Sequence, residues 1–329
     1  MPSRELEVTK QDAGRGCVLG ALIGDAAGAT LEFIGRKPDR DDVERALAMV
    51  GGGHWRTAPG QVTDDGEMTL CLVRALAGTG TFCIEKVADE YLALYKSIPF
   101  DIGNTTSTGL AGGLKAAGGA IHEGMWRASE KENTGSKANG GLMRTTPLGV
   151  WGWRLAEADL VAAASADSRL THPNATCQYV SAVYCLAIRH LMLNPGDGNG
   201  AFETAKQWAK RLENEEIGEW LVGLVERNVD VGYRPHSGFV KYGFVHAFRH
   251  LLLGTPYRDA VAETLLGGGD TDTNACIVGG LSGALHGVKA TPKPLVLAVM
   301  SCDTRKGRPR PEWLQARVQL SRLLDALVR

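Results

Sequence analysis

The 329-residue sequence has no Cys-x-x-Cys pair, few aromatic residues (6%) and almost no net charge. Its seven cysteines, Cys17, Cys71, Cys83, Cys177, Cys185, Cys276 and Cys302, are scattered and odd in number. Most sit in apolar runs (CLVRAL, CLAIRH, CIVGGL), where a free thiol behaves as a small hydrophobe. Such a set argues against a disulfide framework and for a reducing compartment. No run reaches the roughly 18 uninterrupted apolar residues of a membrane span. The N-terminal MPSRELEVTKQDAGRGC lacks the apolar centre of a signal peptide, so a cytoplasmic location is expected. With 36 basic against 37 acidic side chains, nothing electrostatic calls for a nucleic-acid or membrane-surface partner. Neither Gly51–Gly53 nor Gly267–Gly269 runs into the GK[ST] of a phosphate loop. His246 and His250 are four apart, but Ala247 stands where the H-E-x-x-H of a zinc protease has its glutamate, which favours a packed or solvated face. No Ser-His-Asp or Cys-His nucleophile can be assembled from local motifs.

What the chain does have is alanine and leucine at spacings of three and four. This periodicity predicts helices over 14–31, 41–49, 67–77, 83–97, 106–118, 156–168 and 174–193. The same pattern continues over 201–212, 216–229, 240–253, 257–266, 273–285 and 312–328. Gly118-Gly119, Asn194-Pro195-Gly196 and Gly254 with Pro256 read as helix stops. The polar stretches 122–141 and 194–200 read as surface loops, neither long enough to be a domain linker. Strand-like alternation is scarce, and the 44% hydrophobic content can fill a core unaided. The expected fold is all-α, a compact many-helix domain spanning 1–329, with 1–14 as a flexible N-terminal segment.

Two distant segments share a design. Gly60-Gln61-Val62-Thr63-Asp64-Asp65-Gly66 and Gly267-Gly268-Gly269-Asp270-Thr271-Asp272-Thr273 each pass from a glycine turn through an Asp/Thr string into an apolar helix. Helix capping explains one oxygen at each place. It leaves over a second carboxylate and a hydroxyl. No Lys or Arg lies within four residues of these aspartates, so the surplus carboxylates repel one another unless a cation lies between them. Carboxylate and hydroxyl oxygens without His or Cys suit Mg²⁺ or Mn²⁺ rather than Zn²⁺. Two such strings could hold a pair of ions about 3.5–4 Å apart, the spacing of two-metal hydrolases.

A third segment, 16–33, places glycine at 16, 20, 24 and 28, which predicts close packing against another helix. Asp25 and Glu32 do not fit that explanation. They lie seven apart on one face of an apolar helix, and buried carboxylates need partners.

Taken together, GALIGDAAGATLEF, GQVTDDGEMTLCLVRAL, PFDIGNTT, NGGLMRTTPLGV, LTHPNAT and GGDTDTNACIVGGLSGALHG resemble, in that order, the motifs of ADP-ribosylglycohydrolases, a family that includes the dinitrogenase-reductase-activating glycohydrolases. The resemblance runs from about Gly16 to about Gly287, and the pairing of the two aspartate strings is its most specific part. It implies an all-α fold with a central cleft holding two Mg²⁺ or Mn²⁺ ions. It also implies hydrolysis of the N- or O-glycosidic bond between ADP-ribose and a protein side chain, most often arginine. By position, Thr63, Asp64, Asp65, Asp270, Asp272 and Thr273 match the family's metal ligands, and Glu32 matches an acidic residue beside the metals. Asp101 matches an acidic position facing the ribose. Asn139, Gly140, Gly141, Leu142 and Met143 match a loop lining the ADP-ribose groove, flanked by Gly103, Asn104 and Thr105. His172 matches a histidine near the phosphates or distal ribose, with a helix-capping role as the alternative.

Two positions depart from the pattern. Gly66 replaces a frequent threonine, which could remove a hydroxyl near one metal, and Phe239 replaces a tyrosine that contacts the nucleotide. The implied mechanism makes Asp65, Glu32 and Asp101 essential. The ions lower the pKa of a bridging water, Glu32 orients or deprotonates it, and Asp101 faces the charge developing on the ribose or the departing guanidinium. The diphosphate is expected on the amides of Gly140 and Gly141. Expected partners are an ADP-ribosylated protein, ADP-ribose and a cognate ADP-ribosyltransferase. Two rivals stay open: a regulatory or immunity protein that binds ADP-ribose or caps an ADP-ribosylating toxin, and a hydrolase of free ADP-ribose derivatives.

Overall fold

The computed structural model describes residues 8–77, 79–116, 120–226, 232–233 and 237–328. These form sixteen α-helices with no sheet among the described residues. The first five are α1 (Lys10–Gly28), α2 (Arg40–Leu47), α3 (Asp64–Ala77), α4 (Ile84–Lys96) and α5 (Asn104–Leu114). Then come α6 (Ile121–Glu132), α7 (Thr146–Trp151), α8 (Glu157–Arg169), α9 (Ala175–Leu193), α10 (Gly198–Arg211) and α11 (Glu215–Glu226). The series closes with α12 (Val240–Leu253), α13 (Tyr257–Gly267), α14 (Thr271–His286), α15 (Lys293–Met300) and α16 (Ala316–Val328). One contiguous apolar cluster joins them, including Ile23 of α1, Met68 of α3, Tyr184 of α9, Phe244 of α12 and Leu281 of α14. No helix among the described residues is long and apolar enough to cross a membrane.

The central pair is α1 against α14, and the glycines explain it. A Cβ added at Gly16, Gly20, Gly24 or Gly28 would come within 2.2, 2.3, 2.0 and 2.4 Å of the carbonyl oxygens of Gly283, Gly279, Ala275 and Thr271. The two backbones therefore touch directly, a distance that any side chain would forbid. Thr271 Oγ1 seals the end of the contact by donating to Gly28 O at 2.8 Å.

Several expectations need correction. Residues 10–14 are not a flexible segment: α1 begins at Lys10, where Thr9 and Asp12 form a reciprocal capping box, and Asp12, Ala13 and Gly14 are buried. Residues 1–7 lie outside the described residues. The stretch 122–141 is not one loop, because α6 occupies its first half. That helix packs on α5 through Gly124, where a Cβ would stand 2.7 Å from Gly112 O, and through the buried Met125. The loop 194–200 is cut short by α10 at Gly198, capped by Asp197. A 3-10 turn at Glu312–Leu314 precedes α16, so the predicted helix 312–328 starts late. Helices α7 and α15 are short, each with proline at its start, and periodicity did not reveal them. The predicted ends at Gly118 and Val229, with the Gly118-Gly119 stop, lie outside the described residues.

Candidate active site

Both Asp/Thr strings open helices, yet of their four carboxylates only Asp272 takes a first-turn amide, its Oδ1 accepting from Thr273 N at 2.9 Å. Asp270 is the N-cap residue of α14 and makes no side-chain cap bond. At α3 the capping oxygen comes from another helix. The Asp25 carboxylate, on α1, accepts from Thr63 N (3.0 Å), Thr63 Oγ1 (2.9 Å) and Gly66 N (2.8 Å). Asp25 is fully buried, and burial pushes it up to about 7 despite those hydrogen bonds. This is the role of the carboxylate that the sequence left without a partner: it caps α3 in trans and frees Asp64 and Asp65.

The two strings meet at Asp65. Its Oδ2 lies 3.4 Å from Thr63 Oγ1 of its own string and 3.4 Å from Thr273 Oγ1 of the other. Its Oδ1 is buried with no hydrogen-bond partner. Across the cleft, carboxylate oxygens of Glu32, Asp270 and Asp272 all lie within 4.8 Å of one another. Trp55 Nε1 donates to Glu32 Oε2 at 2.8 Å, and Asn139 Nδ2 donates to Asp270 Oδ2 at 2.9 Å. Burial, and then neighbouring carboxylates, push Asp64, Asp65 and Asp272 well above the usual range. Burial raises Glu32 to about 8. Asp101 rises to about 6, through burial and then the charge of Asp270. An uncompensated set of this kind favours protons or a cation.

These groups line a cleft of about 210 Å³ together with Gly103, Asn104, Thr105, Asn139, Gly140, Met143, His172 and Thr273. A trough of about 590 Å³ shares Glu32, Gly103, Asn104 and Asp270 with it and adds Phe33 and Gly269. Of the residues anticipated from sequence, Thr63, Gly141, Leu142 and Phe239 do not line the cleft. Thr63 is buried beneath it on Asp25. Gly141 backs onto Ser168 and His172, and Leu142 belongs to the apolar core. Phe239 packs edge-on against Trp220 and Tyr242, while the carbonyl of the preceding Gly238 accepts from Asn139 N at 2.9 Å. Gly66 needs a different explanation from a lost hydroxyl. A Cβ there would lie 2.6 Å from Asp25 Oδ2 and 2.5 Å from Val62 Cβ, so the position faces packed atoms.

His172 is no helix cap; Asn174 caps α9 through Thr176 N. Its Nδ1 lies 2.7 Å from Thr171 Oγ1, its Nε2 is buried without a partner, and burial with the nearby Arg144 lowers it to about 3. A neutral imidazole therefore borders the cleft beside Gly140. Behind it lies a buried network that sequence reading missed. Arg144 donates to Asp167 Oδ2 (3.1 Å), Asp167 O (2.8 Å), Thr171 Oγ1 (2.9 Å) and Gly140 O (3.3 Å). Tyr91 completes the network on Asp167 Oδ1 at 2.9 Å. Arg144 stands inside the quoted NGGLMRT motif, but nothing in its spacing distinguishes a buried arginine from an exposed one. His246 and His250 are packed rather than solvated: both are buried, and His246 stacks on Tyr233 at 4.1 Å.

An all-helical fold that aims two Asp/Thr strings from separate helix N-termini into one acidic cleft defines a narrow class of protein. A family model for ADP-ribosylglycohydrolases matches residues 6–327, and the chain belongs to that family. It is 31% identical over 287 residues to the ADP-ribosyl-[dinitrogen reductase] glycohydrolase of Rhodospirillum rubrum, covering 85% of this chain and 88% of that one. It is 30% identical over 290 residues to the ADP-ribosylarginine hydrolase Tri1 of Pseudomonas putida (strain GB-1), covering 85% and 72% respectively. A solved chain described as an ADP-ribosylglycohydrolase-related protein complex shares the fold, with a TM-score of 0.71 over 97% of this chain and 98% of that chain at 24% identity.

Proposed function

We propose that this chain removes ADP-ribose from modified protein side chains, N-linked arginine first among them, with two divalent cations, Mg²⁺ or Mn²⁺, in the cleft. The observation that carries this reading is the convergence of the two Asp/Thr strings on Asp65, whose Oδ1 is buried without a partner. The donor set fits hard cations, since it is oxygen throughout. Asp64, Asp65, Asp270, Asp272 and Thr273 would hold them, with Thr63 seated beneath on Asp25 and Glu32 close enough to Asp270 and Asp272 to share one. Bound cations would neutralise the carboxylates and make a coordinated water more acidic.

The chain's own groups then divide the work. Glu32 Oε2 is engaged by Trp55, which leaves Oε1 to take the proton of the attacking water. The water oxygen bonds to the anomeric carbon as the carbon–nitrogen bond breaks, its electron pair leaving with the guanidinium as neutral guanidine, which then takes the proton held on Glu32. Asp101 lines the same cleft and faces the positive charge that develops on the ribose. The backbone at Gly103–Thr105, which opens α5, and at Gly140 would receive the diphosphate, with His172 Nε2 beside them. The substrate is the product of an ADP-ribosyltransferase, so such an enzyme must act before this one. Arginine as the linked residue rests on the relatives' names.

The test is direct. The protein is incubated with an arginine-ADP-ribosylated protein, with Mg²⁺ or with chelator, and free ADP-ribose is measured. Cation-dependent release is the expected result. No release from either arginine- or serine-linked substrate would refute the hydrolase reading.

A further inference from the structure

Asp101 sits on a loop whose shape is unusual. Between the end of α4 and the start of α5, Ile98 has φ +56°, a left-handed backbone that a β-branched residue adopts only when its surroundings compel it. Its side chain is 83% exposed, so packing is not what compels it. Ile98 N donates back to Tyr95 O at 3.1 Å, and the side chain that meets the turn's carbonyls is Arg310, from the segment between α15 and α16. Arg310 Nη1 donates to Ser97 O and Ile98 O, both at 3.0 Å, and Nη2 donates to Ser97 Oγ at 2.7 Å. The remaining two donors form a bidentate pair with Glu67 of α3, Nε to Oε1 at 2.7 Å and Nη2 to Oε2 at 2.9 Å. All five guanidinium N–H groups are thus in use, and both side chains are nearly inaccessible, at 4% and 2% exposure.

The segment that carries Arg310 is itself tied to the site. Gln61, two residues before Thr63, accepts from Arg308 N at 3.0 Å and donates to Arg308 O at 2.6 Å. A Cβ on Gly307 would lie 2.0 Å from Ala58 N. One strap, 304–310, therefore touches the approach to the first aspartate string, the first turns of α3, and the loop of Asp101.

We propose that Arg310 is a positioning residue for the hydrolysis described above. Anchored on Glu67, it holds the strained turn at Ile98 and so fixes Asp101 relative to Asp64 and Asp65. The inference rests on the hydrolase reading for its activity arm only. Lysine cannot reproduce a planar five-donor fork, so Arg310→Lys should reduce kcat about tenfold with KM little changed. The distinguishing measurement is a double-mutant cycle with Asp101→Asn. If Arg310 acts through Asp101, Arg310→Lys has little further effect on kcat in the Asp101→Asn background. An equal loss in both backgrounds would overturn the proposal, because a general structural role multiplies through. Ser97→Ala, which removes one of the five bonds, gives a milder version of the same cycle should Arg310→Lys fail to fold.

A second arm does not depend on turnover. Amide hydrogen exchange in Arg310→Lys, or in Ser97→Ala, should accelerate at 98–103 while the later turns of α3 keep their protection. Unchanged exchange at 98–103 would overturn the proposal even if the wild-type enzyme proved inactive on every ADP-ribosylated substrate. Wild-type inactivity with accelerated exchange would instead remove the hydrolase reading and leave the clasp standing.

Discussion

The two Asp/Thr strings look alike in sequence, yet the protein holds them by opposite means. The first, Thr63-Asp64-Asp65, is held by a side chain: Asp25 reaches from α1 and takes three hydrogen bonds from Thr63 and Gly66. The second, at the start of α14, is held by missing side chains. Gly24 and Gly28 let α1 approach until a Cβ would lie 2.0 Å from Ala275 O or 2.4 Å from Thr271 O. One helix thus registers both strings, through a carboxylate on one side and bare backbone on the other. The polar seat can respond to protons, whereas the backbone seat answers only to volume.

The largest expected effect asks whether both strings are needed. Asp65→Ala and Asp272→Ala should each lower kcat by at least about a thousandfold, the scale of losing a key electrostatic group, while circular dichroism stays that of the wild type. An active Asp272→Ala beside a dead Asp65→Ala would reduce the second string to an accessory. Next come the seats themselves. Gly24→Ala should cost about 3 kcal/mol of unfolding free energy by overpacking, read from urea denaturation. Asp25→Asn should cost about 1–2 kcal/mol, since an amide oxygen cannot serve all three donors. The reverse order would show the polar seat to be the more critical.

Protons separate the seats further. Glu32 near 8, Asp25 near 7 and Asp101 near 6 all lie above their unfolded values. The folded cation-free protein therefore binds more protons than the unfolded chain across this window. The stability these three groups contribute is fully present below about pH 4 and is lost as pH rises toward 8. Thermal melting in chelator should fall accordingly, and added Mg²⁺ or Mn²⁺ should raise the melting point more at pH 8 than at pH 5. A flat profile in chelator would mean that the carboxylates have counter-charges not seen in the fold. The smallest effect concerns Trp55→Phe, which removes the donor to Glu32 Oε2. About a fivefold fall in kcat is expected, equivalent to one ordinary hydrogen bond.

Much of this was legible in the chain, because the features that mattered were periodic or improbable. The glycine ladder announced a close helix pair, and two surplus-carboxylate strings announced a shared site. What the pattern could not supply was partnership. Asp25 was visible as an anomaly, but its donors lie 38 and 41 residues away. Helix α6 was hidden because its buried face mixes Met125 with His122, Gly124 and Ser129, too few large apolar residues to mark a stripe in a polar stretch. Gly141, Leu142 and Phe239 travelled with their motif neighbours, yet side chains adjacent in sequence point in different directions. The Arg144 network and the Arg310 clasp are single buried arginines in polar surroundings, and a sequence presents them as surface charges.

The glycine contact has a mechanical consequence. Along the line of Gly16, Gly20, Gly24 and Gly28 backbone meets backbone, so that stripe of the interface has no rotamer to turn and no gap to compress. Any change in the spacing between the two strings, on filling or emptying the cleft, has to be taken up on the side of α3, where hydrogen bonds can lengthen and tilt. The cleft thus has one seat set by volume and one set by hydrogen bonds, and the first string rests on the more compliant of the two.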